Sequence, residues 1–93
     1  MNVGVLTLEL AVFEATSLKD KRRVIKSIKD RLRARFNVSV AEVDHHDARQ
    51  RATLAVAMVA NEARYLHGGL DRIVDFVRAG GTVSLIDFEK EVT

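Results

Sequence analysis

Cationic side chains that could bind an anion are concentrated in one segment of the chain. Nine lysines and arginines lie among residues 18–36, together with only two acids, Asp20 and Asp30. The segment carries a formal charge of +7 and the other 74 residues carry −5, although the whole chain sums to only +2. Charge segregation of this kind is typical of a surface that attracts phosphate groups.

Helical periodicity sorts these cations into two groups. At about 100° per residue, the apolar side chains of the segment form one stripe, and six cations share an arc of about 120° beside it. At 1.5 Å per residue this row is about 21 Å long, enough to follow several phosphates of a nucleic-acid backbone. Arg31 and Arg35 fall on the other side of the stripe. The residues predicted to bind RNA phosphates are Lys19, Arg22, Arg23, Lys26, Lys29 and Arg33.

Two alternatives for this basic helix stay open. A charged face can serve only to keep a small protein in solution, although a mixture of both signs does so equally well. A helix lying on a membrane surface is less favoured, because its apolar stripe is needed for the core and cannot also enter lipid.

Lys21 is the one cation of the segment that falls inside the apolar stripe. A buried ammonium group must extend to solvent or find an anionic partner. Glu14 and Glu42 are the candidate partners, and either would make Lys21 a structural residue.

Acidic and histidine side chains cluster at residues 42–47. On an extended strand Glu42, Asp44 and His46 would share one face, and these residue types can bind a divalent metal. Three adjacent ligands without a distant fourth make a poor closed site, so a polar hairpin end is the favoured interpretation. Glu42 and Asp47 could instead hold the hairpin against the start of the first helix.

No catalytic residue and no cofactor site is recognised. The chain has no cysteine, and therefore no thiol nucleophile and no thiolate metal site. It contains neither a glycine-rich nucleotide loop nor a nucleophile elbow. A noncatalytic protein is therefore favoured over an enzyme.

Length and composition predict one globular domain over residues 1–93. The chain is 47% hydrophobic and 30% charged, which excludes disorder caused by low hydrophobicity. The absence of cysteine fits a reducing compartment. Since neither a secretory signal nor an apolar run of about 18 residues is visible, we expect a cytoplasmic protein that does not span a membrane.

The apolar periodicity predicts four strands and two helices. Ser17 and Asn61 are the predicted N-caps, and Asn37 is the predicted left-handed C-cap of the first helix. The order βαββαβ predicts a ferredoxin-like α+β fold, with a four-stranded antiparallel sheet and both helices on one face. Strands are predicted over residues 3–13, 38–44, 52–60 and 82–88, and helices over residues 18–36 and between Asn61 and Gly80, with a charged tail at the end.

The open face of such a sheet is unusually apolar in this sequence. Large exposed apolar patches are uncommon on monomers, so we expect a second copy of the chain to cover part of this face. The third strand has no aromatic residue that could stack a base, so RNA contact is expected from the helix. The predicted dimer face contains Val5, Phe13, Ala55 and Ala57, and Ala11 and Val59 are expected on the same side.

Two sequence motifs resemble a known family. Ser-Leu-Lys-Asp-Lys-Arg at residues 17–22 and Phe-Asn-Val-Ser-Val-Ala-Glu at residues 36–42, followed by Asp47 and Gln50, are similar to the bacterial YlxP-like family, also called domain of unknown function 503. The resemblance implies a ferredoxin-like fold and no established activity. Members often have an aromatic residue where this chain has Arg49, and their genes often lie beside those of ribosome-binding factor A and translation initiation factor two. This association implies work near ribosomal RNA or translation.

Three functional hypotheses follow from the sequence. The leading one is a noncatalytic RNA-associated protein of ribosome maturation or translation, whose basic helix contacts phosphates. The second is a homodimeric module that binds another protein. The third is a metal-binding or small-ligand domain at the hairpin between the second and third strands.

Overall fold

The strands and helices follow one another in the predicted order. The computed structural model describes residues 1–93 as β1 (Asn2–Ala11), α1 (Leu18–Arg35), β2 (Ser39–Asp44), β3 (Arg51–Ala60), α2 (Ala63–Ala79) and β4 (Ser84–Val92). The strands form one antiparallel sheet in the order β2-β3-β1-β4. The predicted ferredoxin-like α+β fold is confirmed.

Side-chain alternation along the central strand β1 produces one buried face. Leu6, Leu8 and Leu10 are completely buried, whereas Thr7 and Glu9 between them are half-buried. This is the period of two expected of a strand with one face in the core. Both helices lie on that face, because their buried stripes join the same apolar cluster as the strands. The main helical members of this cluster are Ile25, Ile28, Leu32, Leu66, Leu70, Ile73 and Val77.

α1 begins where Ser17 caps its first turn, as predicted. The Ser17 hydroxyl accepts a hydrogen bond from the Asp20 N–H at 3.1 Å. The Asp20 carboxylate accepts a hydrogen bond from the Thr16 hydroxyl at 2.6 Å. These two bonds satisfy a free N–H of the first turn and place a negative charge at the positive end of the helix dipole.

Two helix ends differ from the prediction. The C-cap of α1 is Phe36, whose extended backbone has φ −130° and whose N–H donates to the Leu32 carbonyl. The left-handed cap predicted at Asn37 is wrong, because the chain passes directly from α1 towards the extended strand β2. The N-cap of α2 is Glu62 rather than Asn61, and no side chain caps this helix. Neither helix is long and apolar enough to cross a membrane.

β4 is longer than predicted and includes most of the charged C-terminal residues. Strand pairing continues along β1, and Thr93 still exchanges two backbone hydrogen bonds with Val3, of 2.9 and 3.0 Å. The prediction of a charged tail is wrong, because an edge strand can carry charges on its solvent-facing positions. Glu89 and Glu91 occupy such positions.

The open face of the sheet combines apolar and acidic surface. Of the predicted dimer-face residues, Phe13 and Ala57 are exposed, whereas Val5 and Ala55 are half-buried. Ala11, which we expected on this open surface, is buried.

Acidic side chains from β4 cover the other side of the open face. Asp87, Glu89 and Glu91 pair with the open-face positions of β1, from Glu9 to Val5. The apolar part of this face is therefore confined to β1, β3 and β2, and a partner that covered the whole face would have to meet a row of carboxylates.

Candidate nucleic-acid interface

α1 presents the predicted cations outward because its apolar stripe is buried in the core. Ile25, Ile28 and Leu32 pack against the sheet, which fixes the rotation of the helix about its axis. Five of the six predicted RNA-binding residues are consequently exposed, and Lys29 is half-buried. We call this surface the outer flank, and its residues are Lys19, Arg22, Arg23, Lys26, Lys29 and Arg33.

Three cations of the outer flank have no anionic partner within the protein. Lys19, Arg22 and Lys29 form neither an ion pair nor a side-chain hydrogen bond, unlike their neighbours on the same helix. Ionised groups of this kind form the stronger, charge-assisted hydrogen bonds with phosphate oxygens. These three residues are therefore the cations most available to a ligand.

Two carboxylates of α1 offset part of the positive charge. Asp20 pairs with Arg23, and Asp30 pairs with Lys26 at 2.8 Å. The hydrogen bond from the Thr16 side chain, aided by the Arg23 charge, holds the pKa of Asp20 below its usual value. The hydrogen bond from Lys26 likewise lowers the pKa of Asp30. Both acids are therefore ionised at neutral pH and compete with any phosphate for their partners.

Arg33 links the outer flank to the sheet. Its guanidinium donates a hydrogen bond to the Val40 carbonyl of β2 at 2.9 Å and lies 3.6 Å from the Asp30 carboxylate. Since β2 is an edge strand, this bond satisfies one of its backbone acceptors. Arg33 thus contributes to the fold as well as to the charge of the surface.

Lys21 is completely buried, and its ion-pair partner is Glu42 rather than Glu14. The Lys21 Nζ lies 2.8 Å from Glu42 Oε2. It also donates to the backbone carbonyls of His45 at 2.7 Å and His46 at 3.4 Å. The ammonium group therefore joins the first turn of α1 to the end of β2 and the connection that follows.

The Lys21–Glu42 contact is an ion pair without a good hydrogen bond. Glu42 Oε2 is buried, and no donor meets it in hydrogen-bond geometry, although Nζ is within contact distance. Nζ donates hydrogen bonds to the two backbone carbonyls instead. Attraction between the charges consequently provides the compensation for burying this carboxylate oxygen.

The connection between β2 and β3 is also tied to the start of α1 by Gln50. The Gln50 side chain donates to the Phe13 carbonyl at 3.0 Å and to the Ala15 carbonyl at 3.4 Å. His45 in this connection has a left-handed backbone with φ 61°, and its N–H donates to the Asp44 carboxylate at 2.7 Å. The connection is thus held in one conformation against the segment that leads into α1.

The predicted common face of Glu42, Asp44 and His46 is not formed. A register shift between Glu42 and Asp44, followed by the left-handed His45, breaks the alternation on which that prediction depended. Glu42 points to Lys21, Asp44 to a backbone N–H, and a ring nitrogen of His46 lies 3.1 Å from the Glu42 carbonyl. Asp47 is exposed, and no group of three acidic or histidine side chains is placed to bind a metal.

A groove between α1 and α2 contains side chains that no sequence motif indicated. It has a volume of about 650 Å³, and its walls include Arg35 and Phe36 at the end of α1. The α2 wall is a stripe at intervals of seven, four and three residues, and this helical spacing is a signal in the sequence that could have indicated the groove. That stripe consists of Tyr65, Arg72, Phe76 and Ala79, and Asp75 lies beside it.

The fold and the outer flank define a small ferredoxin-like α+β protein with a basic helix. The sequence profile of the family described as "Protein of unknown function (DUF503)" matches residues 3–90, and the chain belongs to this family. The chain is also 33% identical over 75 residues to the uncharacterized protein YlxP of Bacillus subtilis (strain 168), over 81% of this chain and 82% of that protein. The predicted YlxP-like family is confirmed.

Residues of the two motifs meet at one place in the fold. Lys21 of the first motif pairs with Glu42 of the second, and Gln50 binds the backbone just before α1. The motifs therefore mark the junction that positions α1, whereas the unpaired cations lie along the exposed side of the same helix.

Replacement of Lys21 by methionine should strongly destabilise the protein. Lys21→Met keeps the apolar stem but leaves the Glu42 carboxylate buried without a counter-charge, and such a change typically costs about 3–5 kcal/mol. We expect this decrease in the free energy of unfolding measured by urea denaturation, and partial recovery in the double variant Lys21→Met, Glu42→Leu.

The matched control for this change is Lys19→Met, two residues away on the exposed surface. It should alter the free energy of unfolding by no more than about 0.5 kcal/mol. Equal denaturation midpoints for Lys21→Met and Lys19→Met would show that the buried pair does not stabilise the fold.

Proposed function

We propose that this protein is a noncatalytic RNA-associated protein, and that the outer flank binds the phosphate backbone of structured RNA. The observation that carries this proposal is a row of three unpaired cations along one side of a helix, the exposed Lys19 and Arg22 and the half-buried Lys29. The helix is fixed to the sheet, so these charges are presented in a constant arrangement. Binding would then cost little ordering of the backbone.

The lysines and arginines of the outer flank favour contact with phosphates over recognition of a particular base sequence. Lysine and arginine contacts to phosphates position a protein on a nucleic acid but carry no sequence information directly. The sheet offers no aromatic side chain on its central strands for stacking of bases, since β1 and β3 contain none. We therefore propose binding without strong sequence preference, with ribosomal RNA in the cytoplasm as the target implied by the family resemblance.

Reversal of charge on the outer flank should abolish most of this binding. In the triple variant Arg22→Glu, Lys26→Glu, Lys29→Glu, affinity for a blunt ribosomal RNA hairpin should fall by at least about a hundredfold, because attraction becomes repulsion. The slope of log affinity against log salt should shrink by about one for each phosphate that the variant no longer binds. Fluorescence anisotropy across a salt series measures both quantities.

A matched triple reversal controls for the change in net charge. Arg49, Arg64 and Arg78 are exposed arginines away from the outer flank, and their joint replacement by glutamate changes the net charge equally. This control should retain most of the affinity. If the outer-flank variant is folded and binds the hairpin as tightly as the wild type, the proposed interface is wrong.

Removal of the Asp30 charge should have the opposite effect. Asp30→Asn releases Lys26 from its ion pair and deletes a carboxylate that stays ionised at neutral pH. We expect hairpin affinity at low salt to rise a few-fold, because the local potential becomes more positive. Asp87→Asn on β4 changes the net charge by the same amount and should leave the affinity nearly constant. Equal increases from both variants would indicate only a general charge effect.

The exposed apolar part of the open face favours a homodimer as a second candidate. Phe13 is 69% exposed and Val59 on β3 is 61% exposed. Alanines 41, 55 and 57 lie beside Val59 on the same side of the sheet, whereas Glu9 and Arg51 lie between this patch and Phe13 at the other end of the paired strands. We infer that a second copy covers this part, while the acidic side at β4 stays in solvent.

A charged substitution at Val59 should separate such a dimer. Sedimentation equilibrium of the wild type should give twice the monomer mass, and Val59→Asp or Phe13→Ser should shift it to the monomer, because the apolar patch can no longer be buried favourably. Ile86→Asp is the control, since Ile86 is 52% exposed but lies on β4. A wild-type protein that is monomeric at all concentrations would exclude this candidate.

A further inference from the structure

The groove between α1 and α2 has the dimensions of a ligand site. Its volume of about 650 Å³ falls within the range of small-molecule pockets. Three of the five aromatic residues of the chain line it, although aromatic residues make up only 5% of the sequence. This concentration is not required by the core, whose fully buried members are aliphatic apart from Lys21.

Two of the aromatic rings of the groove pack against each other, and the third is open to solvent. Phe36 and Phe76 meet edge to face, with 5.8 Å between ring centroids and 81° between planes. The Arg35 guanidinium lies 5.3 Å from the centroid of the Phe76 ring. Tyr65 is 61% exposed, so its ring is accessible from solvent. Aromatic rings and arginine planes are the groups on which proteins stack unpaired bases.

The charged groups of the groove suit a phosphate beside a base. Arg35 and Arg72 form no ion pair, and their guanidinium groups can each bind phosphate oxygens through two parallel hydrogen bonds. Asp75 is the one acid in the groove and has no cationic partner. Its carboxylate can accept a hydrogen bond from the amino group of a base.

The groove is continuous with the last turn of α1, where the outer flank ends. Arg33 and Arg35 belong to this turn and point to opposite sides of the helix, Arg33 towards β2 and Arg35 over Phe76. A nucleic-acid strand that leaves the outer flank can therefore reach the groove around the end of one helix, whose overall diameter is about 10–12 Å.

We propose that this groove binds one unpaired nucleotide, with the base against the aromatic rings and the phosphate at Arg35 and Arg72. Where this nucleotide belongs to a bound RNA, the inference rests on the proposed function. The same chemistry would also accept a free mononucleotide. The two sources are distinguished by the experiment.

The test compares two RNA hairpins that share one stem. One hairpin is blunt and the other carries a single-stranded 3′ extension, and their anisotropy is followed with wild-type protein and with Tyr65→Ala and Arg72→Gln. Both side chains are exposed, so the variants should fold, which thermal denaturation checks. His67→Ala and Arg64→Gln are the matched controls, because these exposed residues lie on α2 outside the groove. AMP alone is the third probe.

Intrinsic fluorescence gives a readout confined to the groove. The chain has one tyrosine and no tryptophan, so its emission comes from Tyr65. Binding of a base in the groove should quench this emission. The loss of emission caused merely by absorption of light by AMP is measured with free tyrosine at equal concentration and subtracted. The quenching should disappear in Arg72→Gln and persist in Arg64→Gln.

The expected result is a selective decrease in affinity for the extended hairpin. Tyr65→Ala should weaken it on the order of tenfold, as removal of one stacking partner does. Arg72→Gln should also weaken it, because a charge-assisted phosphate contact is lost, and both variants should leave the blunt hairpin unchanged. Tyr65→Phe should retain the affinity. The proposal is overturned if the extension adds no affinity and neither variant alters it while the blunt hairpin still binds.

The remaining outcomes separate this site from the proposed function. If AMP quenches Tyr65 but neither hairpin binds, the groove takes a free nucleotide and the RNA proposal fails. If both hairpins bind equally and AMP is not recognised, the RNA proposal stands and the groove proposal fails. If no probe binds, both are wrong.

Discussion

The burial of one apolar stripe of α1 against the sheet is the constraint on which the functional surfaces depend. Ile25, Ile28 and Leu32 are held in the core, so the helix has one rotational setting. Every cation of the segment except the buried Lys21 must then lie to one side of the stripe or the other. The outer flank and the Arg35 side of the groove are the two surfaces that result. Burial of the apolar stripe therefore decides on which surfaces of the protein the positive charge lies.

Lys21 adds direction to this packing. Apolar contacts are not directional and allow small sliding of a helix on its sheet. The Lys21 ammonium must instead reach the Glu42 carboxylate and two backbone carbonyls at the same time. Gln50 makes a second tie of the same kind to the segment before α1. Together these contacts fix the first turn of the helix relative to the β2–β3 connection, and so fix the start of the outer flank.

Local sequence patterns predicted most of the fold. α1 was predictable because Ser17 and the spacing of Ile25, Ile28 and Leu32 are properties of a few neighbouring residues. The charged end of β4 was not, because its pairing depends on β1 at the other end of the chain. The alternation of Glu42, Asp44 and His46 failed for a similar reason, since a register shift against β3 and the left-handed His45 interrupt the strand.

The segregation of charge follows from the amino-acid sequence alone, because nine cations in one helical segment remain together however the chain folds. The need of Lys21 for an anionic partner also follows from the sequence, because that residue occupies an apolar position of the helix. Tertiary packing, in contrast, selected Glu42 as the source of that charge. It also brought Arg35, Phe36, Tyr65, Arg72 and Phe76 together in one groove. The Lys21–Glu42 pair and the groove join residues far apart in the chain, and their geometry depends on strand register and on the docking of two helices.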